Sequence, residues 1–169
     1  ADTPGFKKGK PIEKLGMRSQ DTAELFFTNC RIPGENLLGE KGAGFAQLMN
    51  KLQQERLVVA AWAFSIARYM LDLTIEYCRK PLQHQTPVSE SQAVQFALVE
   101  METDLKIGTA FLNDLIVAHI QNEQVTIETS MAKFWCTQIA NQVADRCLDL
   151  VGPVAVKEEF PIVRMWRDI

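Results

Sequence analysis

The pattern of apolar and polar residues changes after Gly42 and Gly44, and from there to about Arg79 it is helical, with no proline and no further glycine. Apolar side chains recur in this stretch at steps of three or four residues, which place them on one face of a helix. They are Phe45, Leu48, Leu52, Val59, Ala63, Ile66, Met70 and Leu73. The pattern predicts a helix over residues 43–79 that is roughly 54 Å long.

Three further helices are predicted from the same spacing and from their end signals. Ser89 with Gln92 three residues later has the form of a capping box, which marks the start of a second helix. Thr126 is the expected N-cap of a third helix, which Gly152 should end. Pro161 suits the first turn of a fourth. Because short turns join long helices, the sequence predicts a mainly α fold, an antiparallel four-helix up-and-down bundle.

The first forty residues have a different texture, since glycines and prolines divide them into short pieces. Residues 23–27 and 30–32 are expected to be extended on either side of a turn at Thr28 and Asn29. Two or three short strands cannot bury a core alone. We therefore expect residues 1–42 to be an incomplete β domain in front of a helical domain at 43–169, whose last helix can extend further.

Composition excludes several classes of function. A net charge of −3 does not favour nucleic acid or an anionic membrane as a partner. The absence of a run of about 18 apolar residues predicts no membrane span. His84 and His119 are too isolated for a metal site or a catalytic triad. The cysteines lack metal-binding spacing and are typical of reduced thiols in a cytoplasm or matrix: Cys30, Cys78, Cys136 and Cys147.

Adjacent charges at Glu55 and Arg56 interrupt the apolar part of the first predicted helix. Counted on the stripe given above, Glu55 is three residues after Leu52 and four before Val59, so its carboxylate is expected to point toward the core. Arg56 is rotated by about 100° and is expected at the edge of the core. Burial raises a carboxyl pKa and a nearby cation lowers it, so such a pair can be a tunable base. A stripe residue satisfied by the arginine or by a backbone amide is the alternative.

Several segments, in this order, resemble the acyl-CoA dehydrogenase family. They are KLGMRSQDT at 14–22, CRIPGENLLG at 30–39, GAGF at 42–45, QERL at 54–57, QAVQF at 92–96, FP at 160–161 and RD at 167–168. The resemblance covers nearly the whole chain but only the second half of the family's architecture. It implies that 1–42 is the C-terminal part of the middle β domain and that 43–169 is the C-terminal helical bundle domain.

The resemblance also implies a reaction, the α,β-dehydrogenation of an acyl-CoA thioester with FAD as the hydride acceptor. Glu55 matches the glutamate base that long-chain and isovaleryl members carry on the first long helix, and Arg56 matches an arginine near the active site. A homo-oligomer, an electron-transfer acceptor, and a bacterial cytoplasm or a mitochondrial matrix are implied as well, with the cytoplasm favoured. We expect the chain in isolation to be inactive.

Two segments depart from the family pattern. The loop whose arginine contacts the FAD pyrophosphate in relatives is matched here by Pro81, His84 and Gln85, and a proline offers no charge. Of the glycine-rich segment that lies against the flavin's ADP part, only Gly152 is kept, followed by PVAV at 153–156. Both changes imply weakened FAD binding. They leave open a non-catalytic relative that acts in assembly or acyl-CoA binding, and a relative with different flavin chemistry.

Overall fold

The computed structural model describes residues 2–81 and 86–169. Its elements are strands β1 (Phe6–Lys8) and β2 (Leu25–Phe27) and helices α1 (Gly44–Arg79), α2 (Gln92–Ile120), α3 (Thr126–Val151) and α4 (Pro161–Asp168), with short 3-10 segments between them. The predicted fold class is confirmed: a short antiparallel β fragment followed by helices. The matches suggested for His84 and Gln85 lie outside the described residues.

The chain separates into two compact units, Ala1–Asn50 and Lys51–Ile169. In the first unit β1 and β2 pair antiparallel, with Phe6 opposite Phe27. The strand predicted at 23–27 is present in shortened form, but the partner expected at 30–32 is not a strand, and Phe6–Lys8 takes its place. The two phenylalanine rings lie 5.3 Å apart between centroids, and this aromatic pair helps to fix the register.

The second unit is built on one buried face of α1. Its buried side chains are Leu57, Ala60, Ala63, Phe64, Ala67, Met70, Leu71, Thr74 and Cys78. This face differs from the predicted stripe, of which Ala63 and Met70 are buried while Val59 is exposed. The reason is that apolar residues cover much of the circumference of α1. A count at steps of three or four can therefore follow an edge of the apolar surface rather than its middle.

The other helices contribute equally regular buried faces. α2 supplies Met101, Leu105, Gly108, Leu112 and Leu115, and α3 supplies mainly small residues together with Ile139 and Val143. Ile162 and Met165 of α4 complete the core. Three buried alanines on α1 and three on α3 allow close helix packing, because a methyl side chain takes little room between backbones.

The predicted helix ends are nearly right. α2 begins at Gln92 with Ser91 as its N-cap, so the capping box expected from Ser89 is not formed. Thr126 is the first residue of α3 rather than its cap. α3 ends at Val151, and Gly152 follows as its C-cap with a φ of 70°, in the left-handed region that favours glycine, so the predicted helix end is confirmed.

Within the described residues, α1 is long and apolar enough to meet the length and composition criteria for a membrane-crossing helix. The core helix of a soluble bundle meets the same criteria, so this is weak evidence. These criteria use the mean hydropathy of a stretch of helix, which can be high without an unbroken run of 18 apolar residues. The absence of such a run therefore did not indicate α1 as a candidate. No group of three or more His, Cys, Asp or Glu side chains in the described ranges could hold a metal ion.

Candidate functional site

Glu55 lies on the outer side of α1. Its side chain is exposed, so the expectation that it points into the core is wrong for this chain. At 100° per residue it is about 120° away from the middle of the buried face that starts at Leu57. The carboxylate lines an open groove of about 460 Å³ together with Lys51, Gln54, Val58 and Val59.

Apolar side chains follow Glu55 on this outer face, in the direction of the C-terminal end of α1. Val58 is 61% exposed, Val59 38% and Trp62 37%. These residues stand three, four and seven positions after Glu55, so they continue its side of the helix. A carboxylate at the start of an exposed apolar strip is an unusual arrangement for a solvated helix face, which normally carries polar groups.

Arg56 is rotated by about 100° from Glu55 and faces the bundle. It is half-buried, and its Nη1 donates a hydrogen bond of 2.8 Å to Oγ of Ser130 on α3. The Ser130 hydroxyl in turn donates to the carbonyl oxygen of Thr126 at 2.6 Å. This position agrees with the expected place of Arg56 at the edge of the core, where its guanidinium binds Ser130.

Gln53 is a site residue that the sequence reading did not single out. Its Nε2 lies 3.1 Å from Nδ1 of His119 and donates to the carbonyl oxygen of Glu123 at 3.0 Å. Its Oε1 accepts from the backbone N–H of Val125 at 3.2 Å and from the hydroxyl of Thr126 at 3.3 Å. Because these partners are 66 to 73 residues away in sequence, no local pattern could have revealed them.

Gly152 lies at the other end of α3 from this cluster. α3 spans 26 residues, which makes it roughly 38 Å long. Arg56 and Gln53 contact its first turns, whereas Gly152 follows its last. The structure therefore does not bring Gly152 together with Glu55 and Arg56.

The backbone around Gly152 is accessible, since a Cβ added there would meet no other atom within 4 Å. Its positive φ already requires glycine, so the residue is explained by the helix end alone. Pro153 follows in the 3-10 segment Gly152–Val156 and has no N–H to donate. Neither this segment nor Pro81, which is exposed after α1, supplies a charged group.

A second open pocket, of about 500 Å³, lies between α1 and α2. Arg68 of α1 crosses it to pair with Glu102 of α2 and with Asp72 on its own helix at 2.8 Å. Phe64, Leu105 and other apolar side chains form the floor. We assign this pocket no separate function, because its charged side chains Arg68 and Glu102 already pair with each other across the two helices.

Comparison with known proteins agrees with this architecture. A family profile described as "Acyl-CoA dehydrogenase, C-terminal domain" matches residues 42–169. The mitochondrial long-chain specific acyl-CoA dehydrogenase of Rattus norvegicus is 38% identical over 164 residues, which are 97% of this chain and 38% of that protein. A probable acyl-CoA dehydrogenase of Bacillus subtilis is 30% identical over 99% of this chain and 44% of its own length.

Solved structures are similar as well. The acyl-CoA dehydrogenase of Geobacillus kaustophilus matches with a TM-score of 0.96 and 47% identity, over 99% of this chain and 44% of that one. The butyryl-CoA dehydrogenase of Megasphaera elsdenii matches with a TM-score of 0.92 and 30% identity, with the same coverage.

These matches define the class: the fold and the sequence are those of the C-terminal helical domain of acyl-CoA dehydrogenases. The chain belongs to the acyl-CoA dehydrogenase family. It spans about two-fifths of the length of the relatives that it matches.

Proposed function

We propose that this chain is the C-terminal part of a flavin-dependent acyl-CoA dehydrogenase that removes two hydrogens from Cα and Cβ of an acyl-CoA thioester. The observation that carries the proposal is the position of Glu55 on the outer face of α1, next to exposed apolar side chains, in a chain of this family. We propose that residues 1–42 belong to the middle β domain and 43–169 to the helical domain.

Glu55 is assigned the role of the base that takes the α proton. The α C–H of a thioester is a weak acid, so its removal needs a carboxylate held against the carbon and protected from water. In the chain described here the Glu55 side chain is open to solvent. We propose that other parts of the whole protein cover the groove at Val58 and Val59, and so create the dry environment.

Arg56 is assigned a supporting role. Its hydrogen bond to Ser130 holds the guanidinium on the bundle side of α1. From there it acts on Glu55 through the position of the helix and not as a direct ion-pair partner. A contact with substrate is therefore not part of the role that we propose for Arg56.

The described residues do not by themselves form a flavin site. Gly152 offers an accessible backbone, but Pro153 removes an N–H, and neither Pro81 nor the segment Gly152–Val156 provides a cation for a pyrophosphate. When bound, FAD would accept the hydride from Cβ. We propose that its phosphates are held mainly by parts of the protein outside this chain, and we assign no step to the flavin here.

The proposed partners follow from membership of the same family. They are an acyl-CoA substrate, further copies of the chain joined through the helical domain, and an acceptor that takes electrons from the reduced flavin. We propose the bacterial cytoplasm as the compartment, with the mitochondrial matrix as the alternative.

A second candidate is a non-catalytic relative that acts in assembly or acyl-CoA binding. Pro153 and Pro81 favour it, because each removes a group that a diphosphate would use. Stoichiometric FAD in the purified full-length protein would exclude this candidate. A colourless full-length protein would instead contradict the dehydrogenase.

The test of the dehydrogenase is the bleaching of the flavin by acyl-CoA substrates without oxygen. We expect the full-length protein to bleach, and Glu55→Gln to retain FAD while bleaching about 10²- to 10⁴-fold more slowly, as expected for a missing base. Glu76→Gln is the matched control, since Glu76 is an exposed carboxylate on the same helix that pairs with Lys80. Wild-type bleaching in Glu55→Gln would show that another residue is the base.

A further inference from the structure

The part of α1 just before Leu57 contacts the other helices through two polar side chains, Gln53 and Arg56. The buried apolar residues of this helix begin at Leu57. At 100° per residue, Gln53 and Arg56 both point in the direction of the buried face. They continue that face toward the N-terminal end with polar side chains, and both contact the region where α2 ends and α3 begins.

The hydrogen bonds of Gln53 fix the orientation of its amide. The backbone N–H of Val125 can only donate, so the atom facing it is the carbonyl oxygen Oε1. Nε2 then faces the carbonyl oxygen of Glu123, which can only accept, and donates to it. Its second hydrogen points to Nδ1 of His119, which must accept. The neutral His119 tautomer with hydrogen on Nε2 is the one that fits.

All the hydrogen-bonding capacity of this amide is therefore satisfied: Nε2 donates both its hydrogens and Oε1 accepts two hydrogen bonds. The partners belong to the end of α2, the turn after it and the start of α3. A side chain bound in this way restrains both rotation of α1 about its axis and sliding along it. Glu55 is only two residues further on, and its direction depends on that rotation.

We propose that Gln53 is a positioning residue for Glu55. By fixing the rotation of α1 against the α2–α3 turn, its amide aims the Glu55 carboxylate outward at the substrate position. A base is effective only when held within a fraction of an ångström of the productive geometry, and a displacement of about 1 Å can cost about 100-fold in rate. This inference rests on the proposed function, since it assigns Gln53 a role through Glu55.

The kinetic test uses the full-length protein. We expect Gln53→Ala to slow flavin bleaching at saturating acyl-CoA by about 10- to 100-fold, with FAD content and the KM for acyl-CoA nearly unchanged. Gln53→Glu keeps acceptors for Val125 and Thr126 but loses both donors, so its rate should lie between wild type and Gln53→Ala. Gln142→Ala, an exposed glutamine on α3, is the matched control and should bleach normally.

The hydrogen bonds of Gln53 can also be tested by a measurement that does not depend on catalysis. In ¹⁵N spectra of the chain, we expect Nδ1 of His119 to show the shift of an unprotonated acceptor and Nε2 that of a protonated nitrogen. Gln53→Ala should abolish this preference and speed up hydrogen exchange at the Val125 amide.

The outcomes separate the two proposals. An unchanged bleaching rate in Gln53→Ala, or a fall no larger than its loss of bound FAD, would overturn the positioning role. Bleaching by Glu55→Gln would instead overturn the proposed function, and with it the kinetic part of this inference. The proposal is supported if only the bleaching step slows and if the rate falls in the order wild type, Gln53→Glu, Gln53→Ala.

Discussion

Gly108 of α2 lies directly against the ring of Phe64 of α1. A Cβ at position 108 would overlap the phenylalanine ring and would lie 2.7 Å from Cζ3 of Trp135 on α3. Phe64 and Trp135 themselves pack with their ring centroids 6.1 Å apart. Gly108 therefore creates the space in which aromatic side chains from two other helices meet.

Gly108→Ala is expected to destabilise the fold. Alanine improves helix propensity by about 1 kcal/mol, but overpacking against two rings costs about 1–3 kcal/mol. Because the added Cβ would overlap Cε2 of Phe64, the upper end of this cost applies, and we expect a net loss of about 2 kcal/mol in the free energy of unfolding, measured by urea denaturation. Gly44→Ala is the control, because a Cβ there meets nothing and should not destabilise. Equal stability of Gly108→Ala and wild type would contradict the packing described.

The buried thiols predict a loss of stability at high pH. Burial raises the pKa of Cys136 and of Cys147 from 9.0 to about 11. Between these values the unfolded chain releases thiol protons that the folded chain retains. The free energy of unfolding should therefore fall as pH rises from 9 to 11, by about 1.4 kcal/mol per pH unit for each thiol.

This dependence can be measured by urea denaturation of wild type and Cys136→Ala at several pH values. In Cys136→Ala the free energy of unfolding should fall less steeply with pH than in wild type, by the contribution of one thiol, whatever the stability of the variant at pH 7. The same slope in both proteins would show that Cys136 does not ionise in this way. Cys30, which is only partly buried, serves as the control position.

The Arg68–Glu102 ion pair joins α1 to α2 near the protein surface. Both side chains are about one-third exposed, so solvent screens the pair. We expect Glu102→Gln to lower the free energy of unfolding by less than about 1 kcal/mol in dilute buffer, and by less still in 1 M NaCl. Glu76→Gln, which affects a pair within α1, should have a smaller effect. A loss that salt leaves unchanged would contradict this account.

Exposed apolar side chains on α2 and α3 predict self-association. Phe96 is 59% exposed, Val99 63% and Phe134 68%. Faces of this kind commonly meet a second copy. We expect concentration-dependent association in analytical ultracentrifugation, weakened by Phe134→Glu. A monomer at every concentration tested would contradict this prediction.

The sequence predicted helix positions better than helix faces. Gly44, Pro161 and Gly152 mark helix ends because their backbone preferences act locally. The direction of Glu55 could not be read in the same way, because apolar residues on both sides of α1 satisfy the same spacing. Which side is buried depends on α2 and α3, whose contacts are set by the whole bundle.

The contacts of Gln53 could not be predicted from the sequence for a similar reason. The pairing of its amide with four groups at the α2–α3 turn depends on the lengths of two helices and on the geometry of the turn, with Asn122 at a φ of 61°. The strand at 25–27 was predicted from its composition, but its partner at Phe6–Lys8 is nearly twenty residues away. Distant pairings of this kind leave no periodic pattern.

The two sides of α1 are subject to different constraints. Changes at Ala60 or Ala63 must fit between neighbouring helices, whereas changes at Val58 or Val59 meet only what covers the outer groove. On the function proposed above, preferences among acyl chain lengths can therefore diverge between related proteins at these outer positions while the bundle keeps its stability.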